Sequence, residues 1–130
     1  MIHYDAPHLK ILWDDAIKCV VLEWNGFVYG DTARDSLNRA LAFMEQKHAH
    51  RWLGDMRKLK VWGEEEMKWI NEDWFPRAFS GGLRRLAYVV PESVLAQMAL
   101  RRMMQKVKGE VCETAYFSEP EEAKRWLRMG

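Results

Sequence analysis

Cysteine is scarce in this chain: two residues in 130, Cys19 and Cys112, far apart and without a CxxC spacing. That excludes a disulfide framework and a zinc knuckle, and it marks both thiols as small buried hydrophobes. An excess of one charge is also missing. Twenty Lys and Arg stand against nineteen Asp and Glu, for a net charge of +1, so the basic excess of a nucleic-acid binder is absent. No apolar run approaches the roughly 18 residues of a membrane span. The start MIHYDAPHLK lacks the basic-then-apolar layout of a secretory leader, so the expected location is cytoplasmic. Linkers, repeats and low-complexity tracts are absent too, which predicts one domain over residues 1–130, large enough to bury a core without metal or disulfide staples.

What is present alternates. HLKILWD (8–14) puts Leu9, Ile11 and Trp13 on one face of a strand, and IKCVVLEW (17–24) follows at once, which predicts a hairpin turning at Asp14-Asp15. Asn25-Gly26 marks a turn or bulge before a helix that begins near Asp31 or Thr32 and packs through Ala33, Leu37, Ala40, Leu41 and Met44. RWLGD reads as a short buried strand ending at Asp55. Gly63 followed by Glu64, Glu65 and Glu66 reads as a helix start, with three carboxylates at the positive end of the dipole. This helix buries Met67, Ile70 and Trp74, points Trp69 nearly the opposite way, and ends at Pro76, Gly81 and Gly82.

Leu86 to Val90 is an unbroken apolar stretch, expected in the middle of the sheet. A helix over about 92 to 108 packs through Ala96, Leu100, Met103 and Val107, with Leu95, Met98 and Met104 on its flanks, an apolar arc broader than one packing face requires. The strand EVCETAYF comes next, then a last helix for which Ser118 and Glu121 fit a capping box around Pro120. The order β-β-α-β-α-β-α-β-α predicts an α/β fold: a mixed five-stranded sheet, begun by an antiparallel hairpin, with helices packed on it. Ile11, Val21, Leu37, Leu41, Trp74, Val89 and Leu127 are expected in the core.

That order resembles a known family, together with VVLEWNG, WLGD at the end of the third expected strand, LRRLAYVV as the fourth, and FSEPEEAKRWL closing the chain. It is similar to the SpoIIAA-like branch of the STAS superfamily, and the resemblance covers nearly all of the chain. It implies a bacterial, protein-binding regulatory module and no enzymatic activity. In some members a serine at the start of the helix after the third strand is phosphorylated, and the wider superfamily includes CRAL-TRIO-like domains that hold lipids. Asp55 matches the Asp that precedes that serine. The serine itself is missing: no Ser, Thr or Tyr lies between Leu53 and Phe79.

Other chemistries find little support. Asp55 with Glu64, Glu65 or Glu66 could pair carboxylates for acid-base work, but no nucleophile triad or phosphate-cradling glycine motif accompanies them. His48 and His50 lack the spacing and companions of a metal site. Arg84-Arg85 and Arg101-Arg102 with Lys106 and Lys108 could make basic patches for phosphate or acidic partners, but runs on strand starts and helix faces are usually solvated, and solvated surface is the expected reading. Seven tryptophans exceed what one core of this size needs, and Trp62 and Trp69 fall beside Asp55 in sequence. The expected site is therefore the segment from 55 to 69. Asp55, Arg57 and Lys58 would orient a partner and Trp62 and Trp69 would anchor it, with no catalytic residue, cofactor or metal. The partner is another protein or a second copy of the chain; the alternative is a carrier in which these tryptophans line a cleft for a small apolar or lipid-like ligand.

Overall fold

A strand precedes the hairpin that the sequence pattern predicts. In the computed structural model, which describes residues 1–129, Ile2–Ala6 forms β1 and pairs antiparallel with β2, Leu9–Asp14. The side chains of β1 are exposed or half-buried, so it carries no alternating apolar signal; ladder hydrogen bonds hold it instead. Among the described residues the sheet thus has six strands, in the order β1-β2-β3-β4-β5-β6, and not five.

β2 pairs antiparallel with β3, Cys19–Phe27, through the expected hairpin, but the turn spans residues 15–18 and not two residues. The Asp14 carboxylate accepts from the backbone N–H groups of Ala16 and Ile17 at 3.1 and 3.4 Å, and Lys18 closes the turn in a left-handed conformation (φ 53°). Asn25-Gly26 lies inside β3, where Gly26 (φ +79°) sits at a register shift, as the bulge reading requires.

The remaining strands, β4 (Arg51–Val61), β5 (Arg85–Val89) and β6 (Glu113–Phe117), pair in parallel from β3 outward. β5 lies next to the edge strand, not in the middle of the sheet. Its apolar run has the cause expected, because Leu86 and Tyr88 face one core and Ala87 and Val89 the other.

Each parallel step moves the same way across the sheet. Right-handed crossovers then place every connection on one face. That face carries α1 (Gly30–Gln46), a continuous helical run over residues 64–80, and α4 (Val94–Met104), which bury Leu37, Ile70, Trp74 and Leu100 against Leu22 and Trp52. The run consists of α2 (Glu64–Trp69), a π-helical turn (Ile70–Trp74) and α3 (Phe75–Ser80). Pro76 does not end it. Proline lacks an N–H and clashes with the carbonyl four residues back, and the wider π turn just before it accommodates both defects. The other face is covered by α5 (Pro120–Arg128), whose Ala123 and Leu127 pack on Val21, Leu53 and Val89.

The capping box expected at Ser118 does not form. Glu119 is the N-cap and contributes no side-chain bond, because Pro120 starts the helix one residue later than the box requires. All seven expected core residues, Ile11, Val21, Leu37, Leu41, Trp74, Val89 and Leu127, are buried.

Candidate functional site at the carboxyl ends of the strands

Asp55 sits where β4 stops pairing with β5. Its ladder partner Val89 is the last residue of β5, and from Lys58 onward β4 continues beside β3 alone. WLGD therefore does not end its strand, although Asp55 does stand at the carboxyl end of the β4–β5 ladder. A register shift between the Glu23–Asp55 and Asn25–Lys58 pairs gives β4 a bulge, and Arg57 turns back onto Asp55. The Arg57 guanidinium donates from Nε to Oδ1 at 3.0 Å and from Nη2 to Oδ2 at 2.7 Å, and the Arg57 backbone N–H donates to Oδ1 at 3.2 Å. The two-pronged bond to Asp55 pushes the Arg57 guanidinium above its ordinary value, with Glu119 and Glu23 adding to the field. Asp55 is buried and its hydrogen-bonding capacity is largely consumed. The Arg57 carbonyl in turn accepts from Glu92 N–H at 3.3 Å, which ties the loop before α4 to β4.

The structure divides the predicted site residues between the two faces of the sheet. Asp55 lies on the α5 face, as strand alternation from Leu53 dictates. Trp62 lies on the opposite face, half-buried, with its ring edge-on to Trp24 at 5.8 Å. Trp69 is also half-buried, between the guanidinium groups of Arg34 and Arg77 at 5.6 and 5.8 Å from its ring centre. Lys58 is exposed on the extension of β4.

The carboxylate pairing considered for acid-base work is likewise split. Glu64 and Glu65 are exposed, while buried Glu66 accepts from the Gly30 backbone N–H at 2.6 Å and so caps the start of α1. No cluster of three or more His, Cys, Asp or Glu residues able to hold a metal occurs among the described residues. No helix among them is long and apolar enough to cross a membrane.

Of the two predicted tryptophans only Trp62 walls a cavity, with Trp24, Trp52, Trp74 and Met56, while Trp69 lies outside it; the cavity's volume is about 20 Å³. That is room for one water and not for a lipid-like molecule.

Exposed apolar surface at this end comes from other residues. Phe27, the last residue of β3, Tyr29 just past it, and Val94, Leu95 and Met98, in the first half of α4 after β5, are each more than half exposed, and Leu95 is 79% exposed. The broad apolar arc of α4 was the legible signal for Leu95 and Met98; the third flanking residue, Met104, is buried. Phe27 and Tyr29 were legible only as alternation about buried Val28.

Residues 19–128 match the SpoIIAA-like family. Among solved structures, an uncharacterized protein of the DUF3478 family with a SpoIIAA-like fold, from Shewanella loihica PV-4, is similar over 98% of this chain and 99% of its own. The TM-score is 0.62 at 13% sequence identity, a likeness of fold. No curated protein matches. With that match spanning β3 to α5, the chain belongs to the SpoIIAA-like family of STAS-type domains.

Proposed function

We propose that this chain is a non-enzymatic, STAS-type interaction module that docks another protein, or a second copy of itself, through the carboxyl-end rim of its sheet. The observation that carries the reading is the set of apolar side chains offered to solvent there: Leu95, Val94 and Met98 on α4, with Phe27 and Tyr29 at the end of β3. Exposed aromatic, leucine and methionine side chains at a loop-rich end are the material of interface cores. The Asp55–Arg57 clip and the Glu92–Arg57 bond steady the strand and loop from which α4 departs, so the rim is presented on a fixed base.

Regulation in this chain proceeds without a phosphoserine in the helix after β4, because residues 54–78 contain no hydroxyl side chain. Ser80 is exposed but stands at the carboxyl end of α3, where the dipole opposes a dianion. The carrier reading gains no support from a cavity of about 20 Å³.

Oxidative footprinting of the full chain in native extract tests the reading. Met98 is 60% exposed and should become protected when the chain is in complex, while Met129, 84% exposed at the end of α5, should stay reactive. Equal oxidation of both, free and in complex, would rule out docking through this rim.

A further inference from the structure

The amino ends of β3, β4 and β5, opposite the apolar rim, enclose a second feature: an open cavity of about 470 Å³. Its cationic lining is Lys18, Lys47, Arg51, Arg84 and Arg85, beside the imidazoles of His48 and His50, and no carboxylate lines it among the described residues. A chain with a net charge of +1 thus gathers five of its twenty Lys and Arg around one concavity. We propose that this cavity is a binding site for the phosphoryl group of a small phosphorylated molecule.

Three observations support a built site. The arginines are held in place chiefly by backbone carbonyls. Arg51 Nη1 donates to Ile17 O at 2.7 Å, Arg84 Nη1 to Phe79 O and Leu83 O at 2.7 and 2.8 Å, and Arg85 Nη2 to Trp126 O at 2.6 Å. Carbonyls orient a guanidinium without cancelling its charge, and a fixed fork loses little freedom when it binds an anion. Carboxylates reach part of the cluster, since Lys18 pairs with Asp15 at 2.7 Å and Arg85 with Glu113 at 3.1 Å. Lys47 and Arg84 have no carboxylate partner among the described residues, and Arg85 Nε is buried without a hydrogen-bond acceptor.

The backbone is also bent to form this end. Lys18 (φ 53°) and His48 (φ 54°) are the non-glycine residues with positive φ among those described, and both line the cavity. Left-handed geometry is costly for a residue with a Cβ and collects at functional sites. His50 is the third feature. Its Nδ1 donates to the Gly82 carbonyl at 2.7 Å, which fixes the ring and leaves Nε2 as its other polar atom. Gly82 itself has φ +118°, and a Cβ there would stand 3.0 Å from that Nδ1.

Several fixed guanidinium groups in one concavity select a tetrahedral, multiply charged oxyanion over a single carboxylate. The volume is that of a small-molecule site. A concave cluster also differs from the basic stripe along one face that a nucleic acid follows. The phosphoryl group can belong to a soluble ester or to a lipid head, because exposed Met1, Ile2 and Met129 lie at this same end.

The test is isothermal titration calorimetry of the full chain with inorganic pyrophosphate, beside sedimentation with phosphatidylcholine vesicles made with and without phosphatidic acid. Saturable pyrophosphate binding is expected, weakened about tenfold or more by Lys47→Gln and by Arg84→Gln, the size expected for losing one charged hydrogen bond. Among the described residues the Lys47 ammonium contacts only the rings of Trp13 and Phe43, and the bond from its backbone N–H to Phe43 O survives substitution, so Lys47→Gln decides the matter should Arg84→Gln unfold. Binding confined to phosphatidic acid vesicles, with the same sensitivity to Lys47→Gln, assigns the phosphoryl group to a lipid head. The proposal is overturned if neither probe binds saturably, or if Lys47→Gln leaves binding unchanged.

Discussion

Tyr88 shows how a single residue can be dictated by its neighbour. It pairs in register with Gly54, and a Cβ at position 54 would stand 3.0 Å from the Tyr88 ring. Gly54→Ala must push that buried ring aside and is expected to cost about 1 to 3 kcal/mol, read from the urea midpoint. The tryptophans divide by the same reasoning. Trp74 is buried and donates from Nε1 to the Leu37 carbonyl at 3.0 Å, so Trp74→Ala should cost about 3 to 5 kcal/mol. Trp69, half-buried between two guanidinium groups, should cost about 1 kcal/mol when truncated. Equal losses would refute the packing described for both. The sequence makes Trp74 legible as core through its place on the helix stripe. Trp62 and Trp69 read as free anchors because their partners, Trp24, Arg34 and Arg77, meet them only through the tertiary fold.

At the level of elements, Glu66 joins two helices. Helical sequence rules assign it to the first turn of α2, where its charge suits the dipole. Its carboxylate instead reaches the N–H of Gly30, at the start of α1, so it serves two helix ends at once. Glu66→Ala should destabilise the chain by about 1 to 3 kcal/mol and speed amide exchange in the first turn of α1, while Glu65→Ala leaves both unchanged; hydrogen exchange checks this. Elements with a buried face announced themselves, β2 and α1 through periodicity and β3 and β5 through apolar runs. β1 was silent because pairing alone makes it a strand, and the full length of β4 was hidden because Arg57, Lys58 and Lys60 are exposed on a two-stranded extension. Pro76 misled for a related reason. A π turn is a backbone adjustment with no residue signature of its own.

Across the whole molecule, buried acids set the response to alkali. Burial pushes the Cys112 thiol from 9.0 up to about 12, and it raises Cys19 and Tyr88 in the same direction. The folded chain therefore favours the neutral form of each, and the unfolded chain ionises first. Stability from these groups is intact below about pH 9 and is lost as the pH rises towards 12, with Cys112→Ala showing a shallower decline in urea midpoint. The same raised thiols should resist alkylation at neutral pH until the chain unfolds. The two ends of the sheet differ in kind: an apolar rim at the carboxyl ends and a cationic cavity at the amino ends. Docking at the rim is the central claim, and Leu95→Asp with Met98→Asp tests it most directly, because both side chains already face solvent and the change leaves the core intact. The purified double variant should keep a thermal midpoint within a few degrees of the parent, and native mass spectrometry should show a complex or self-association for the parent that the double variant loses. A double variant that keeps the parent's complex at full occupancy would contradict the account.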